Sequence, residues 1–571
     1  MCGEVAAALS LRPRQYQVHA FGGAHRRHVS RPLAVVCCEP RARTGPSGLS
    51  PYDPTTTATS RLTKHSSTQG AAPTSSSRPL WTPEEVREAT GGALRGSWIV
   101  PILGVSIDTR TLLPGDLFVA LPGPVRDGAA FVSCALRLGA AGAVVTSRPD
   151  DPDLPRDAPL LTVDDARTAL VSLGRAGRAR STARVIAITG SVGKTSTKDI
   201  LGAVLTARGH AVHSSEGSQN NALGVPLTLA RLPVDTDVSL VEAGTGAPGE
   251  LAPLSRQIEP HVALVTAVEA AHLAAFSTVE AIADEKAAIL AGLGRSGAAA
   301  LPCDGPHWDQ LRRAARARET RVVSHGESSD ADVVLESVQI VGSDDSCDAR
   351  TEAAIRIGDA TVEVVVGAPG AHLARCVAAA LAALAALDKI DPPAEPPDAA
   401  RGLDALVAWT PPNGRGNRRR LHLSPPSSAP PFVLVDESHN ACPASVRAAL
   451  ASLAATPPLG PGGRRIVFLG DMLELGASDE RPLHAALATD VIEASVDAVH
   501  VAGPLMSSLY DALAAAVDEG RVERTWWPDA EALAGAVPGL VGPGDVAVVK
   551  GSRGSRMDRV AAALTAMRFC P

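Results

Sequence analysis

A lysine and a hydroxyl residue placed directly after a glycine loop are the groups needed to hold a polyphosphate. In ITGSVGKTST, residues 188–197, Gly190 and Gly193 permit a tight loop, and Lys194 and Thr195 follow at once. The backbone N–H groups of Gly190, Ser191, Val192, Gly193, Lys194, Thr195 and Ser196 would cradle an anion at the start of a helix. Lys194 would neutralise the β- and γ-phosphates of ATP, and Thr195 would offer its hydroxyl to Mg²⁺. The spacing GxxGKT is shorter than the usual GxxxxGK[ST], so by itself it could be a chance turn.

The flanking elements supply the context. RVIAITG (184–190) is a short β-branched run of the kind buried in a parallel sheet, and KDILGAVLTARGH beyond the loop has helical spacing. DVSLVEAGTGAPGEL (237–251) reads as a second buried strand that ends in Glu242. HVALVTAVEAAHLAAFSTVEAIADEKAAIL (261–290) reads as a third strand, then His272, then a helix carrying Lys286. Acids and histidines just past strand ends lie where open α/β sheets bind ligands. Glu242 at a strand tip can reach Mg²⁺. On residue type alone, His272 is as well explained as a cap or packing residue, and Lys286 as a solvated helix lysine.

The chain of 571 residues is long enough for three or four domains. A net charge of −7 leaves no overall basic footprint, so no nucleic-acid partner is expected. None of the nine cysteines forms a CxxC pair, which argues against a zinc ribbon or a disulfide framework. The longest apolar run, residues 376–387, is too short to span a bilayer, which needs roughly 18 residues or more. A soluble protein with reduced thiols is expected.

Residues 1–79 differ from the rest. They hold ten Lys or Arg against three acids, a charge of +7, so the remainder carries −14. They are rich in Ser and Thr and lack apolar periodicity. An acid-poor, Arg- and Ser-rich start reads as an organelle transit peptide, plastid before mitochondrion, the plain alternative being a disordered tail. Localisation is then the chloroplast stroma, and otherwise the cytoplasm. Ordered structure is expected to begin near WTPEEVREATGG, where Thr82 can cap a helix with Glu84 and Glu85 in its first turn.

Five stretches together resemble the Mur ligases of peptidoglycan synthesis: TGSVGKTSTKD, EGSQNNALGVPLTL, VDESHNACPASVRAAL, LGDMLELG and VKGSRGSRMDRV. They fall in the family's order, and the resemblance covers about residues 80–571. VSIDTRTLLPGDLFVALPG (105–123) looks like the family's uridine-nucleotide region. The resemblance implies an α/β fold of three domains. An N-terminal UDP-sugar-peptide-binding α/β domain spans 80–180. A central P-loop, doubly wound ATPase domain spans 181–412, and a C-terminal Rossmann-like domain spans 413–571. It implies an ADP-forming peptide ligase, a monomer, that joins D-alanyl-D-alanine to UDP-N-acetylmuramoyl-tripeptide with ATP and Mg²⁺.

The resemblance also assigns roles. Thr195 and Glu242 would hold the first Mg²⁺, and His272 and Lys286 a second, Lys286 as a carbamate. Arg415 in NGRGN would reach the γ-phosphate. Asp436, His439 and Asn440 would contact the adenosine. Ser106, Thr109, Arg110, Asn220, Asn221, Lys550, Ser552 and Arg553 would contact the two substrates. The chain departs from the family pattern in GAHLARC, where Leu373 and Cys376 replace two asparagines of an adenine contact. It departs also at Ala267 and at Gly246–Ala247. These departures motivate a second reading, a plastid protein that keeps the fold for a structural or gene-expression role.

Overall fold

The computed structural model describes residues 79–567, apart from 124–125, 343–347, 393–397 and 424–428. The transit-peptide reading of residues 1–79 therefore lies outside the described residues except for Pro79. Close to that point the sequence expectation is met. Thr82 caps the helix Pro83–Thr90, its hydroxyl accepting from Glu85 N–H while the Glu85 carboxylate accepts from Thr82 N–H.

Three sheets follow in chain order. The first contains β1 (Ala93–Arg95), β2 (Gly104–Ser106), β3 (Asp116–Val119), β4 (Gly142–Val145) and β5 (Leu160–Thr162), in the order β1-β5-β4-β3-β2. Only the β1–β5 pair is antiparallel. Its core extends onto the helix Gly224–Ala230 of the next region through Leu227 and Ala230. Trp81 anchors the junction: its indole N–H donates to Ala230 O at 2.8 Å, and the Arg180 guanidinium stacks over its ring.

The second sheet has nine strands. These are β6 (Arg184–Thr189), β7 (Val212–Ser214), β8 (Val238–Glu242), β9 (Val262–Val265), β10 (Ala298–Pro302), β11 (Arg321–Gly326), β12 (Val333–Val341), β13 (Arg350–Ile357) and β14 (Ala360–Val366). Their order is β14-β13-β12-β11-β10-β9-β6-β8-β7, parallel from β7 to β12 and antiparallel beyond. The runs of Val, Ile, Leu and Ala in β6, β8 and β9 are buried on both faces, as helix-covered parallel strands must be. One face packs on the helices Lys194–Ala207 and Ala371–Ile390, the other on Leu251–Ile258 and its neighbours. The alanine-rich run at 376–387 is thus a buried core helix. Among the described residues no helix is long and apolar enough to cross a membrane.

The third sheet contains β15 (Asn417–Leu421), β16 (Phe432–Glu437), β17 (Arg465–Gly470), β18 (Ala498–Ala502), β19 (Glu523–Trp527) and β20 (Val546–Lys550). Its order is β15-β16-β20-β17-β18-β19, with only β15 antiparallel, and helices cover both faces. LSPPSSAPP (423–431) connects β15 to β16, and its residues 424–428 are outside the described set.

The order of strands places the chemistry. From β6 the chain crosses to one side for β7 and β8 and to the other for β9, so the crevice opens at the C-terminal ends of these strands. Register aligns those ends: Ile188 pairs with both Glu242 and Leu264.

Candidate active site

The loop between β6 and the helix Lys194–Ala207 is shaped by its glycines. Gly190 has φ +147°, and a Cβ there would fall 2.0 Å from Thr266 Oγ1, so no side chain fits. Gly193, at φ +83°, turns the chain into the helix. The loop after β9 braces this turn: Ser191 N–H donates to Ala267 O at 2.8 Å, and Thr266 Oγ1 donates to Val192 O at 2.6 Å. Lys194 folds back, donating to Gly190 O at 2.6 Å, and burial lowers its pKa.

Glu242 stands beside the loop at the tip of β8 and is fully buried. Thr195 Oγ1 donates to one carboxylate oxygen at 2.9 Å and Asn220 Nδ2 to the other at 2.7 Å. Both partners are neutral donors, so they leave the buried negative charge without a bonded cation. A hard divalent ion suits this donor set of one carboxylate and one hydroxyl. Among the described residues no group of three or more His, Cys, Asp and Glu could hold a metal unaided. Mg²⁺ commonly takes one or two protein oxygens, as Thr195 and Glu242 offer, and completes its shell with phosphates and water. The site therefore fits the ion.

Opposite the loop, the third sheet contributes the other wall of a cleft of about 950 Å³. Arg415 enters on a turn made by Gly414 and Gly416, at φ +74° and +101°. Burial lowers the Arg415 pKa, and the charges of Glu242, Glu437 and Asp199 oppose that shift. His439 reaches back across the cleft to within 3.1 Å of Ser218 Oγ. Burial, helped by Arg415 and Arg553, lowers its pKa to about 4, so it is neutral at physiological pH. Lys550 is buried, donating to Glu437 at 3.2 Å and to Asn440 O at 3.0 Å. Ser552 Oγ accepts from Leu473 N–H at 2.9 Å and donates to Ala441 O. Arg553 and Asn440 also line the cleft.

Lys286 is only 3% exposed on the helix Val279–Ala287. The plain expectation of a solvated helix lysine is therefore corrected. Desolvation, with repulsion from Lys194, lowers its pKa to about 7. His272 lines the cleft at the start of the turn Leu273–Phe276, with its Nδ1 hydrogen-bonded to Glu474.

Some expected residues are not brought to the cleft. Side chains alternate along a strand, so Asp436 and Glu437 of β16 face opposite sides. Asp436 turns away into a small pocket with Arg419, Ser438 and Thr565, while Glu437 lines the cleft in its place. Ser106 is buried against Asp108 O at the end of β2, and Arg110 pairs with Asp108 at the surface. Neither they nor Thr109 line the cleft, whereas Asn220 and Asn221 do. Of the two missing asparagines, only Cys376 faces the cleft; Leu373 points into the core. Residues missed from the sequence include Glu437, Glu474, Glu269, His325 and His372. Glu437 and Glu474 stood inside the motifs VDESHN and LGDMLELG, and strand parity identifies the first.

Comparison with known proteins agrees with this geometry. Residues 188–384 match the Mur ligase middle domain, and residues 419–553 match the Mur ligase, glutamate ligase domain. The chain is 31% identical over 494 residues to the UDP-N-acetylmuramoyl-tripeptide–D-alanyl-D-alanine ligase of Escherichia coli, covering 86% of this chain and 99% of that one. The chain belongs to the Mur ligase family. The Bacillus subtilis ligase of the same name is 30% identical, covering 80% of this chain and 92% of the other. Among solved structures, MurF from Acinetobacter baumannii superposes with a TM-score of 0.66 at 26% identity, covering 85% and 99% of the two chains. MurF from Thermotoga maritima in complex with ADP shares the fold, with a TM-score of 0.62 at 24% identity over 81% and 97%. The α/β architecture of three sheets in this Mur ligase is the one these relatives share.

Proposed function

We propose that this Mur ligase joins D-alanyl-D-alanine to UDP-N-acetylmuramoyl-tripeptide, splitting ATP to ADP and phosphate. The observation that carries the reading is the facing of Lys194 and Glu242, the latter hydrogen-bonded to buried Thr195, by Arg415 and Arg553 across one cleft. A carboxylate resists nucleophiles, so the terminal carboxylate of the tripeptide is first activated by taking the γ-phosphoryl group. The amine of the dipeptide then attacks the acyl phosphate carbonyl, and phosphate leaves. Both steps bring negative groups together, so positioning and charge neutralisation do most of the catalysis.

The chain's own groups divide this work. The loop amides from Val192 to Ser196 and the Lys194 amine hold the β- and γ-phosphates, while Ser191 N–H, bonded to Ala267 O, keeps the loop in shape. Lys194 exchanges its bond to Gly190 O for the incoming phosphate oxygens. Thr195 and Glu242 would hold the first Mg²⁺ and His272 and Lys286 the second, and the ions would supply charge neutralisation at the phosphates. Arg415 contacts the γ-phosphate from the far wall. Lys286, held near neutrality by burial, presents the uncharged amine that carbamate formation requires. His439, Asn440 and Glu437 border the nucleoside, with Glu437 in the position expected of Asp436. Lys550, Ser552 and Arg553 border the incoming dipeptide.

The first sheet, residues 80–180, binds the UDP end of the substrate through Ser106, Thr109 and Arg110, apart from the phosphate cleft. Residues 181–412 bind ATP and 413–571 close over it, with the chain acting as a monomer. The departures at Cys376, Ala267 and Gly246 lie on the cleft wall, whereas the residues assigned to the phosphates and the metal are all present. This favours the ligase over a non-catalytic role. Residues 1–79 carry the chain to the chloroplast stroma; a fluorescent fusion of this segment that stays in the cytosol would exclude that. Mass spectrometry tests the reaction. Incubation with both substrates and ATP–Mg²⁺ should give UDP-N-acetylmuramoyl-pentapeptide, and its absence with intact ATP would exclude the reading.

A further inference from the structure

The cleft walls meet at a contact that the chemistry above does not use. The loop after β17 reaches the turn after β9, where the Glu474 carboxylate hydrogen-bonds His272 Nδ1. A second bond joins the same residues' neighbourhoods, Ala274 N–H donating to Glu474 O at 3.0 Å. Both His272 and Glu474 adopt left-handed backbone conformations, with φ of 59° and 67°. Such conformations are uncommon for residues other than glycine and cluster at functional sites. Here two occur in direct contact, 202 residues apart in the chain.

The pair is not a stability device. Glu474 is 64% exposed and His272 31%, and exposed ion pairs contribute little to folding. Its consequence is for the imidazole. A carboxylate only accepts, so the bond requires a proton on Nδ1, and Nε2 is then the nitrogen left to act as a ligand. A carboxylate behind a ligating histidine is the usual way to fix such a tautomer.

We propose that Glu474 is a positioning residue that fixes the Nδ1–H tautomer of His272 from the C-terminal region. Nε2 is then oriented as a ligand only when the third sheet has closed on the second. The inference rests on the reading of His272 as a metal-site residue. It adds that site assembly and closure are one event, because the ring's orienting partner comes from the opposite wall.

Nitrogen-15 NMR of the imidazoles in the full chain tests it without turnover, with His272 identified by its loss in His272→Gln. In wild type this ring should be the Nδ1–H tautomer, and in Glu474→Ala it should revert to the Nε2–H form that free histidine prefers. Glu474→Gln keeps an acceptor oxygen and should retain the tautomer. In parallel, the Mg²⁺ concentration for half-maximal phosphate release should rise about tenfold in Glu474→Ala. It should rise far less in Glu474→Gln. An unchanged tautomer in Glu474→Ala would overturn the proposal. A wild-type chain that lacks ligase activity but shows the tautomer change would instead fault the assigned reaction.

Discussion

Replacing Lys286 by methionine should make the protein more stable and inactive at once. Burial, with repulsion from Lys194, brings this amine from 10.5 down to about 7. Unfolded, the amine keeps its proton up to its ordinary value; folded, it releases the proton near neutrality. Between these values the unfolded chain binds more protons, so folding becomes more favourable as pH rises. The penalty is full below pH of about 7 and gone above about 10.5. At pH 7 it amounts to roughly 4 kcal/mol, and at pH 9 to about half of that. Methionine has a similar reach and no charge, so Lys286→Met should recover much of this amount, less any strain of repacking. Urea titrations of both proteins at pH 6.5, 7 and 9, in bicarbonate-free buffer, measure the gain and its decline with pH. Phosphate release measures the loss of function. Lys286→Ala should also be inactive and should be partly restored by acetate, which can place a carboxylate in the vacated space. A Lys286→Met protein that is less stable at every pH, or that keeps near-normal turnover, would refute the reasoning.

Other outcomes follow from the same geometry. Lys194→Ala should abolish nucleotide binding and phosphate release together without loss of stability, because the amine bonds only carbonyls of its own loop and burial already disfavours its charge. Calorimetric titration with ADP and a thermal melt check both halves. Thr195→Val removes a donor from a fully buried carboxylate and should cost roughly 1–3 kcal/mol of stability, seen by urea denaturation without Mg²⁺. Gly190→Ala should lose nucleotide affinity more than fold, since the added methyl meets Thr266 Oγ1 and displaces the loop. Because His439 titrates at about 4, it should contribute no inflection to the rate profile between pH 6 and 9; an inflection removed by His439→Gln would contradict this.

What the sequence showed depended on how local the signal was. The β-branched runs before Gly190 and up to Glu242 and Val265 give buried strands, and each strand tip was readable from the residue that ends the run. Lys194, Thr195 and Glu242 could be expected together because they lie at those tips, and the structure places them side by side. The Thr82 cap was readable for the same reason. Asp436 was misplaced because a motif gives composition and not parity: one residue along β16 exchanges cleft for back face. On residue type Lys286 looked like a surface lysine because Asp284 and Glu285 precede it on its helix, and only packing shows which face is covered. The contacts of His439 with Ser218 and of His272 with Glu474 join residues more than two hundred positions apart. Nothing in the local sequence announces them. Of the two departures on the helix after Gly370, Cys376 borders the cleft, and Leu373 packs in the core.

The central claim is that one cleft couples ATP cleavage to amide formation between these two substrates. Phosphate release by the full chain, measured with UDP-N-acetylmuramoyl-tripeptide, D-alanyl-D-alanine and ATP–Mg²⁺ and then with each omitted in turn, tests it most directly. Steady release is expected only with all components present, and none when either substrate is left out. Release that continues without the dipeptide and without the sugar peptide, or no release with everything present, would contradict it.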